Sequence, residues 1–318
     1  MPLLSRIPAA LVRTARTLMP GSSPDIYDGA LEPAHWEGLP ASSRPGIFET
    51  CSNPDCDASW LKIWRSRRTP VFESGWACSP ECTRACVEIA LRREMDGRGA
   101  SPDAHRHRIP LGLSMLEQGW ITARQLREAL ESQREAGGGR LGQWLVCNRA
   151  VNEEQVTRAL GLQWSCPVLG VDFHDAEGMT ALLPRFFADA FGALPLRVAA
   201  AKILYMGFES RPDPVLALAI ERMTGLRVET GLVPGSHFRA AHTRLLSASF
   251  PRVELIETAS ESALVHAIVR AIERAQPVES RLVRVHECLW LRMWLRQQRT
   301  PVPEPEAVED LVGATMGR

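Results

Sequence analysis

Residues 140–163, RLGQWLVCNRAVNEEQVTRALGLQ, are a near-copy of residues 110–133, PLGLSMLEQGWITARQLREALESQ. At an offset of thirty residues, Leu111 pairs with Leu141, Gly112 with Gly142, Leu116 with Val146 and Ile121 with Val151. Further on, Leu126 pairs with Val156, Ala129 with Ala159, Leu130 with Leu160 and Gln133 with Gln163. Each copy reads as a short helix, a turn, and a second helix whose i, i+4 apolar pair faces inward. One such pair of helices cannot bury its apolar face alone, so the two copies are expected to pack as a four-helix unit. Packing leaves the Leu-Gly at each start and the Gln at each end unexplained. A glycine at a helix start lets backbone approach a ligand closely, and a terminal Gln can read a polar edge.

The rest of the chain divides around this repeat. Residues 1–46 are a tail and a linker rich in Pro, Gly and Ser, 47–95 a cysteine-bearing unit ending in a helix, and 96–107 a second linker. The repeat fills 108–165, and 166–250 alternates short strands and helices. There LLPRFFADAFG reads as a helix and LPLRVAAAKILYMGF as two strands. DPVLALAIERMTG reads as a helix with an Asp start and a Gly stop, LRVETGLV as a strand and GSHFRAAHTRLLSA as a helix. Residues 251–299 add a strand, a helix and a run of period two. In that run Val283, Val285, Leu289, Leu291, Met293 and Leu295 are expected on one face, with Arg284, His286, Trp290, Arg292, Trp294 and Arg296 on the other. The proline-spaced residues 300–318 read as a flexible tail. The expected fold class is α+β: a tandem helical-repeat unit, then a small α/β sandwich, with an N-terminal zinc ribbon.

That ribbon is read from four thiols. Cys51 and Cys56, then Cys78 and Cys82, form two close pairs separated by a hairpin-sized insert. Zinc favours four soft ligands in a tetrahedron, and two short Cys turns set face to face supply it. The stretch resembles small treble-clef zinc ribbons. Cys86, one helical turn beyond Cys82, is a rival fourth ligand, whereas Cys147, Cys166 and Cys288 are isolated and read as core residues. The insert carries Arg65, Arg67 and Arg68 beside Trp60 and Trp64. It reads as a solvated hairpin in preference to a nucleic-acid contact.

Charge and composition narrow the function. Lys+Arg and Asp+Glu balance at 37 each, so no global field draws the chain to nucleic acid or anionic lipid. No apolar run is long enough to span a bilayer. With no convincing export signal, the eight cysteines are expected in a reducing cytoplasm as metal ligands or core thiols. The histidines are scattered, and neither G-x-S-x-G nor H-E-x-x-H occurs, so a non-enzyme is expected.

The pattern Arg-Leu-Gly, two apolar residues, Gly, then Leu-x3-Leu-x2-Gln, twice in tandem with a short spacer, resembles the N-terminal domain of type II secretion and type IV pilus assembly ATPases. The MshE-type members of that family bind cyclic di-GMP, one half of the dinucleotide per motif. The resemblance covers about residues 105–248. It implies ligand contacts from Leu111, Gly112, Gly119, Leu126, Leu130 and Gln133 in the first copy. In the second it implies Arg140, Leu141, Gly142, Val156, Leu160 and Gln163. Two departures stand out. Pro110 occupies the place of the leading Arg, with Arg108 as a candidate substitute, and Arg149 that of the central Gly. An Arg is a good guanine partner because its planar fork can stack on the base or donate to O6 and N7.

The family's ATPases continue into a phosphate-binding loop, G-x4-G-K-[ST]. Neither lysine of this chain, Lys62 in SWLKIW nor Lys202 in VAAAKILY, lies in one. The expectation is therefore a bacterial cytoplasmic adaptor or receptor that binds cyclic di-GMP and a protein partner of a secretion or pilus system. The alternatives are a docking module that has lost the nucleotide and, against the charge balance, a zinc-ribbon nucleic-acid regulator.

Overall fold

The computed structural model describes residues 51–57, 70–73, 75–96, 109–172 and 174–315. The N-terminal tail and its linker, the Arg- and Trp-bearing insert, the second linker and Arg108 lie outside the described residues. Mixed helix and sheet surround the repeat, an α+β arrangement.

The chain enters through a two-stranded turn, β1 (Val71–Phe72) and β2 (Gly75–Trp76), and a long helix α1 (Pro80–Asp96). The repeat forms four helices: α2 (Leu111–Glu117), α3 (Ala123–Glu135), α4 (Leu141–Cys147) and α5 (Glu153–Trp164). Their core is Met115, Ile121 and Ala129 with Leu145, Val151 and Ala159, three residues from each copy at matching positions. The second helix of each copy starts at the same device. Thr122 caps α3 with Gln125 reaching back, and Asn152 caps α5 with Gln155 reaching back.

Two short helices, α6 (Ala176–Met179) and α7 (Arg185–Ala190), lead into a three-stranded sheet. Its strands β3 (Leu194–Ala199), β4 (Ile203–Phe208) and β5 (Arg227–Leu232) lie in that order, the first pair antiparallel and the second parallel. Helix α8 (Pro214–Thr224) makes the parallel crossover. Asp213 accepts from the amides of Val215 and Leu216 at its start, and Gly225 ends it in the left-handed conformation at φ 73°. Helix α9 (Gly235–Ser247) follows.

A second sheet holds β6 (Arg252–Thr258), β7 (Glu279–Val285), β8 (Cys288–Trp294) and β9 (Val308–Thr315), in the order β6-β9-β8-β7, with α10 (Glu261–Ala275) after β6. Here the structure departs from the flexible tail expected for residues 300–318. Residues 308–315 are an inner strand, parallel to β6 and antiparallel to β8. The prolines punctuate the connection, while VEDLVGAT past them is buried on both faces, at Asp310, Leu311 and Val312, as an inner strand requires.

The face assignment of the period-two run is also corrected. Val283 lies opposite Trp290, and Leu282 opposite Leu291. Facing residues of an antiparallel pair point to the same side, so the turn at His286 and Glu287 switches parity between the strands. One face carries Val283, Val285, Trp290 and Trp294 against the first sheet and its helices. The other carries Leu282, Leu289, Leu291 and Met293 against α10 and α1. Trp290 and Trp294, expected on the face with the arginines, are buried at 0% and 3% exposure.

The N-terminal unit does not stand apart. Val87, Ala90 and Leu91 of α1 share a core with Leu264, Ile268 and Ile272 of α10. The backbone of β1 bonds along the β7 edge, with Glu73 N donating to Ser280 O at 2.8 Å. Buried Glu94 on α1 accepts from Arg222 of α8 and from the Arg284 amide of β7, at 2.9 and 3.1 Å. These bonds tie the N-terminal unit to α8 and to β7 of the second sheet.

Candidate functional site

Two places in the fold bring chemistry-bearing residues together. The first is the cysteine group. Cys51 and Cys56 come from the loop before β1, Cys78 from the end of the β2 turn, and Cys82 from the first turn of α1. Their four sulfurs lie within 4.8 Å of one another. Cys56 and Cys78 are 3.4 Å apart, and Cys78 and Cys82 3.5 Å. A tetrahedral zinc with Zn–S bonds of about 2.3 Å has sulfurs about 3.8 Å apart, so the group needs small adjustments to close on an ion.

Donors already face the sulfurs. Asn53 Nδ2 donates to Cys82 Sγ at 3.4 Å and the Cys78 amide to Cys51 Sγ at 3.3 Å; such outer bonds orient ligands and favour the thiolate. Burial pushes the Cys78 thiol up to about 12, with the adjacent thiols adding to it. Burial acts the same way on Cys82, yet the Asn53 and Ser79 bonds bring it down to about 7. Cys86 lies outside the group of four, half-buried, with burial raising its thiol to about 11. Cys147, expected in the core, is exposed; Cys166 and Cys288 are partly buried.

The second place is the repeat, which keeps a pseudo-twofold arrangement in its hydrogen bonds. Gln133 Nε2 donates to the carbonyl of Gly139 at 2.6 Å, and Gln163 Nε2 to the carbonyl of Ile109 at 2.9 Å. Residues 109 and 139 are matching positions, so the end of each copy clamps the start of the other. The glycines match too. A Cβ on Gly112 would lie 2.6 Å from Leu126 Cδ1, and one on Gly142 2.7 Å from Val156 Cγ1. The close approach made possible by each glycine is therefore to a helix of its own copy. Leu111 and Leu141 cross the axis, their Cδ2 atoms 3.5 and 3.3 Å from where a Cβ on Gly142 and on Gly112 would lie. Leu160 packs against the sheet core, while Leu130 is partly exposed.

The central turn survives the replacement of glycine. Gly119 sits at φ 68° and Arg149 at φ 54°. Their amides donate to Leu116 O and Val146 O at 3.0 and 2.9 Å. Arg149 thus adopts a left-handed conformation that costs a side-chain-bearing residue about 1–2 kcal/mol.

What differs between the copies is exposed. Pro110 and Arg140 are the N-caps of α2 and α4, both in extended backbone. Arg140 has 61% of its side chain exposed and meets Glu209, at the end of β4, at 3.7 Å. Glu209 also pairs with Arg239 of α9, which reaches Glu153 at 3.5 Å. The same Glu153 accepts from the Ser236 amide at the start of α9, and both hydrogen bonding there and the nearby Arg239 hold its carboxyl below the usual range. Around Pro110, Ile109 and Leu113 are exposed at 45% and 53%, where the second copy has Gly139 and Gln143. Arg140's tether to Glu209 and the network beyond it had no sequence signal, since the partners are far apart in the chain.

No protein-family profile matches the chain. Among curated proteins, it is 30% identical over 149 residues to the type IV pilus assembly ATPase PilB of Thermus thermophilus, 46% of this chain and 16% of that protein. PilB of Myxococcus xanthus is 26% identical over 148 residues, 45% of this chain and 25% of that protein. Bacteriophage adsorption protein B of Escherichia coli is 31% identical over 125 residues, 39% of this chain and 16% of that protein. Among solved structures, that of MshE with cdg has 25% identity and a TM-score of 0.36, with 43% of this chain and 99% of that chain covered. The N-terminal domain of XpsE has 18% identity and a TM-score of 0.29, with 42% and 92% covered. The chain spans about a quarter or less of the length of these curated relatives. Just under half of it is similar to part of the type IV pilus assembly ATPases.

Proposed function

We propose that this chain is a non-catalytic bacterial adaptor or receptor whose helical repeat takes cyclic di-GMP and whose body docks a protein of a secretion or pilus system. The observation that supports it most is Arg140. A guanidinium stands exposed at a helix N-cap, 3.7 Å from Glu209, in a pseudo-twofold unit whose second copy keeps the Arg-Leu-Gly start. Such a fork can donate to guanine O6 and N7. The likeness to proteins as differently named as a pilus ATPase and a phage adsorption protein supports a portable module. Among the described residues no helix is long and apolar enough to cross a membrane.

The test is calorimetric titration of the full chain with cyclic di-GMP. Binding is expected, and Arg140→Ala should weaken it by about 10- to 100-fold, the worth of a hydrogen bond to a charged group. ATP hydrolysis that co-purifies with the chain through gel filtration would contradict the non-catalytic role.

Four thiols within 4.8 Å of one another, with amide donors in place, fit a zinc ion held by Cys51, Cys56, Cys78 and Cys82. A four-thiolate site has no open position, so a bound ion would act as a cross-link.

A docking role without nucleotide is favoured by a different observation. Gly112, Gly142, Gln133 and Gln163 are all engaged in packing or backbone clamps, so the repeat explains them with no ligand. Failure of wild type and Pro110→Arg to bind at high micromolar cyclic di-GMP would decide for that role.

A further inference from the structure

The two copies hold their starts by the same backbone clamp but present opposite chemistry there. Pro110 and Arg140 sit at equivalent N-caps, and the carbonyls just before them accept from matching Gln side chains. The frame is therefore twofold, and the groups that would meet a base are not. On the second copy stands a charged fork, Arg140, beside Gln143. On the first stand Pro110, which has neither an N–H nor a side-chain donor, and the exposed apolar Ile109 and Leu113.

Apolar side chains can lie against the face of any purine, because every base has an apolar face, but they cannot distinguish O6 from an amino group. A fork aimed at O6 and N7 can, since adenine places a donor where guanine has an acceptor. From this contrast we propose that the repeat reads only one base of a cyclic purine dinucleotide. The Arg140 half requires guanine, and the Ile109–Pro110–Leu113 half accepts guanine or adenine. This rests on the nucleotide-binding reading above and adds its specificity: the ligand class widens to cyclic dinucleotides with at least one guanine.

The expected ranking follows from counting. Cyclic di-GMP fits in either of two orientations and the mixed cyclic GMP–AMP in one, so the mixed ligand should bind about twofold more weakly for statistical reasons alone. Cyclic di-AMP would set an adenine against Arg140, and a bidentate contact discriminates against the wrong base by about 5- to 150-fold. Pro110→Arg should supply the missing fork and raise the preference for cyclic di-GMP over the mixed ligand to about tenfold or more.

The experiment is calorimetric titration of the full-length chain with cyclic di-GMP, cyclic GMP–AMP and cyclic di-AMP, repeated with Pro110→Arg and with Arg108→Ala. Near-equal binding of the first two, weak binding of the third, and a gain of discrimination in Pro110→Arg support the proposal. A wild type that binds cyclic di-GMP yet rejects the mixed ligand tenfold or more overturns it while leaving nucleotide binding intact. If that rejection disappears in Arg108→Ala, Arg108 is the fork that replaces Pro110. Equal binding of all three ligands also overturns it, because Arg140 would then read no base. Absence of binding by all three removes the nucleotide reading itself.

Discussion

Replacing Asp310 with Ala should cost far more than the loss of any exposed ion pair. Asp310 is 2% exposed and Arg292 fully buried. The carboxylate accepts from Arg292 Nε and Nη2 at 2.8 and 2.7 Å and from the Trp290 indole N–H at 2.8 Å. Without it the guanidinium keeps the carbonyls of Ala181 and Leu182 and the face of Trp290 but no anion. Stranding a buried charge in this way costs about 3–5 kcal/mol, and the orphaned indole adds about 1 kcal/mol. That approaches the whole stability of many domains, about 5–15 kcal/mol. The paired replacement Arg292→Met with Asp310→Leu removes both charges and should recover most of the loss, to within about 1–2 kcal/mol of wild type. Urea unfolding of the full chain, followed by tryptophan fluorescence, measures this. With a slope of about 2 kcal/mol per M, Asp310→Ala should lower the midpoint by about 2–3 M. A loss below about 1 kcal/mol, the worth of an exposed pair, would show that residues 308–315 do not occupy the inner position of the second sheet.

The remaining predictions concern the other sites. Metal analysis of purified protein should find one zinc per chain, retained in Cys86→Ser and lost in Cys78→Ser. Because α1 shares its core with α10, thermal melting after metal loss should show the second sheet weakened as well as the cysteine unit. Arg149→Gly should raise stability by about 1 kcal/mol by relieving the left-handed backbone; a destabilised variant in the same melting assay would contradict the turn. Asp213 accepts from His286 Nε2 at 2.7 Å. Burial opposes its charge, but the His286 bond and two helix amides hold its carboxyl below the usual aspartate range. Its stabilisation is then present above the unfolded value of about 3.9 and lost as pH falls through the lower folded value. Acid titration of stability should consequently be steeper below about pH 4 in wild type than in Asp213→Asn.

Much of the local architecture was legible because its causes are local. The start of α8 needs only the Asp213 side chain and its end only Gly225. The four-helix unit needs only apolar positions repeated at a fixed offset, and they meet in one core. The four cysteines were legible for a related reason: two close pairs bring thiols near each other by turn geometry, and β1 and β2 complete the approach. The roles of Gly112 and Gly142 were not legible, since a missing Cβ looks the same whether the space is taken by a ligand or by Leu126 and Val156.

The chain alone thus determined the helices, most strands, the duplicated unit and the thiol group, since each depends on residues within a few turns of one another. Only the tertiary structure decided which surfaces stay exposed. A hairpin turn sets whether strand parity continues or switches, and so sent Trp290 and Trp294 inward with Val283. Strand order is set by partners distant in sequence, and so turned residues 308–315 from an apparent tail into an inner strand between β6 and β8. The burial of Arg292 and Asp310 follows from that pairing: two charges that read as solvent-facing become tolerable inside because β8 and β9 bring them into register.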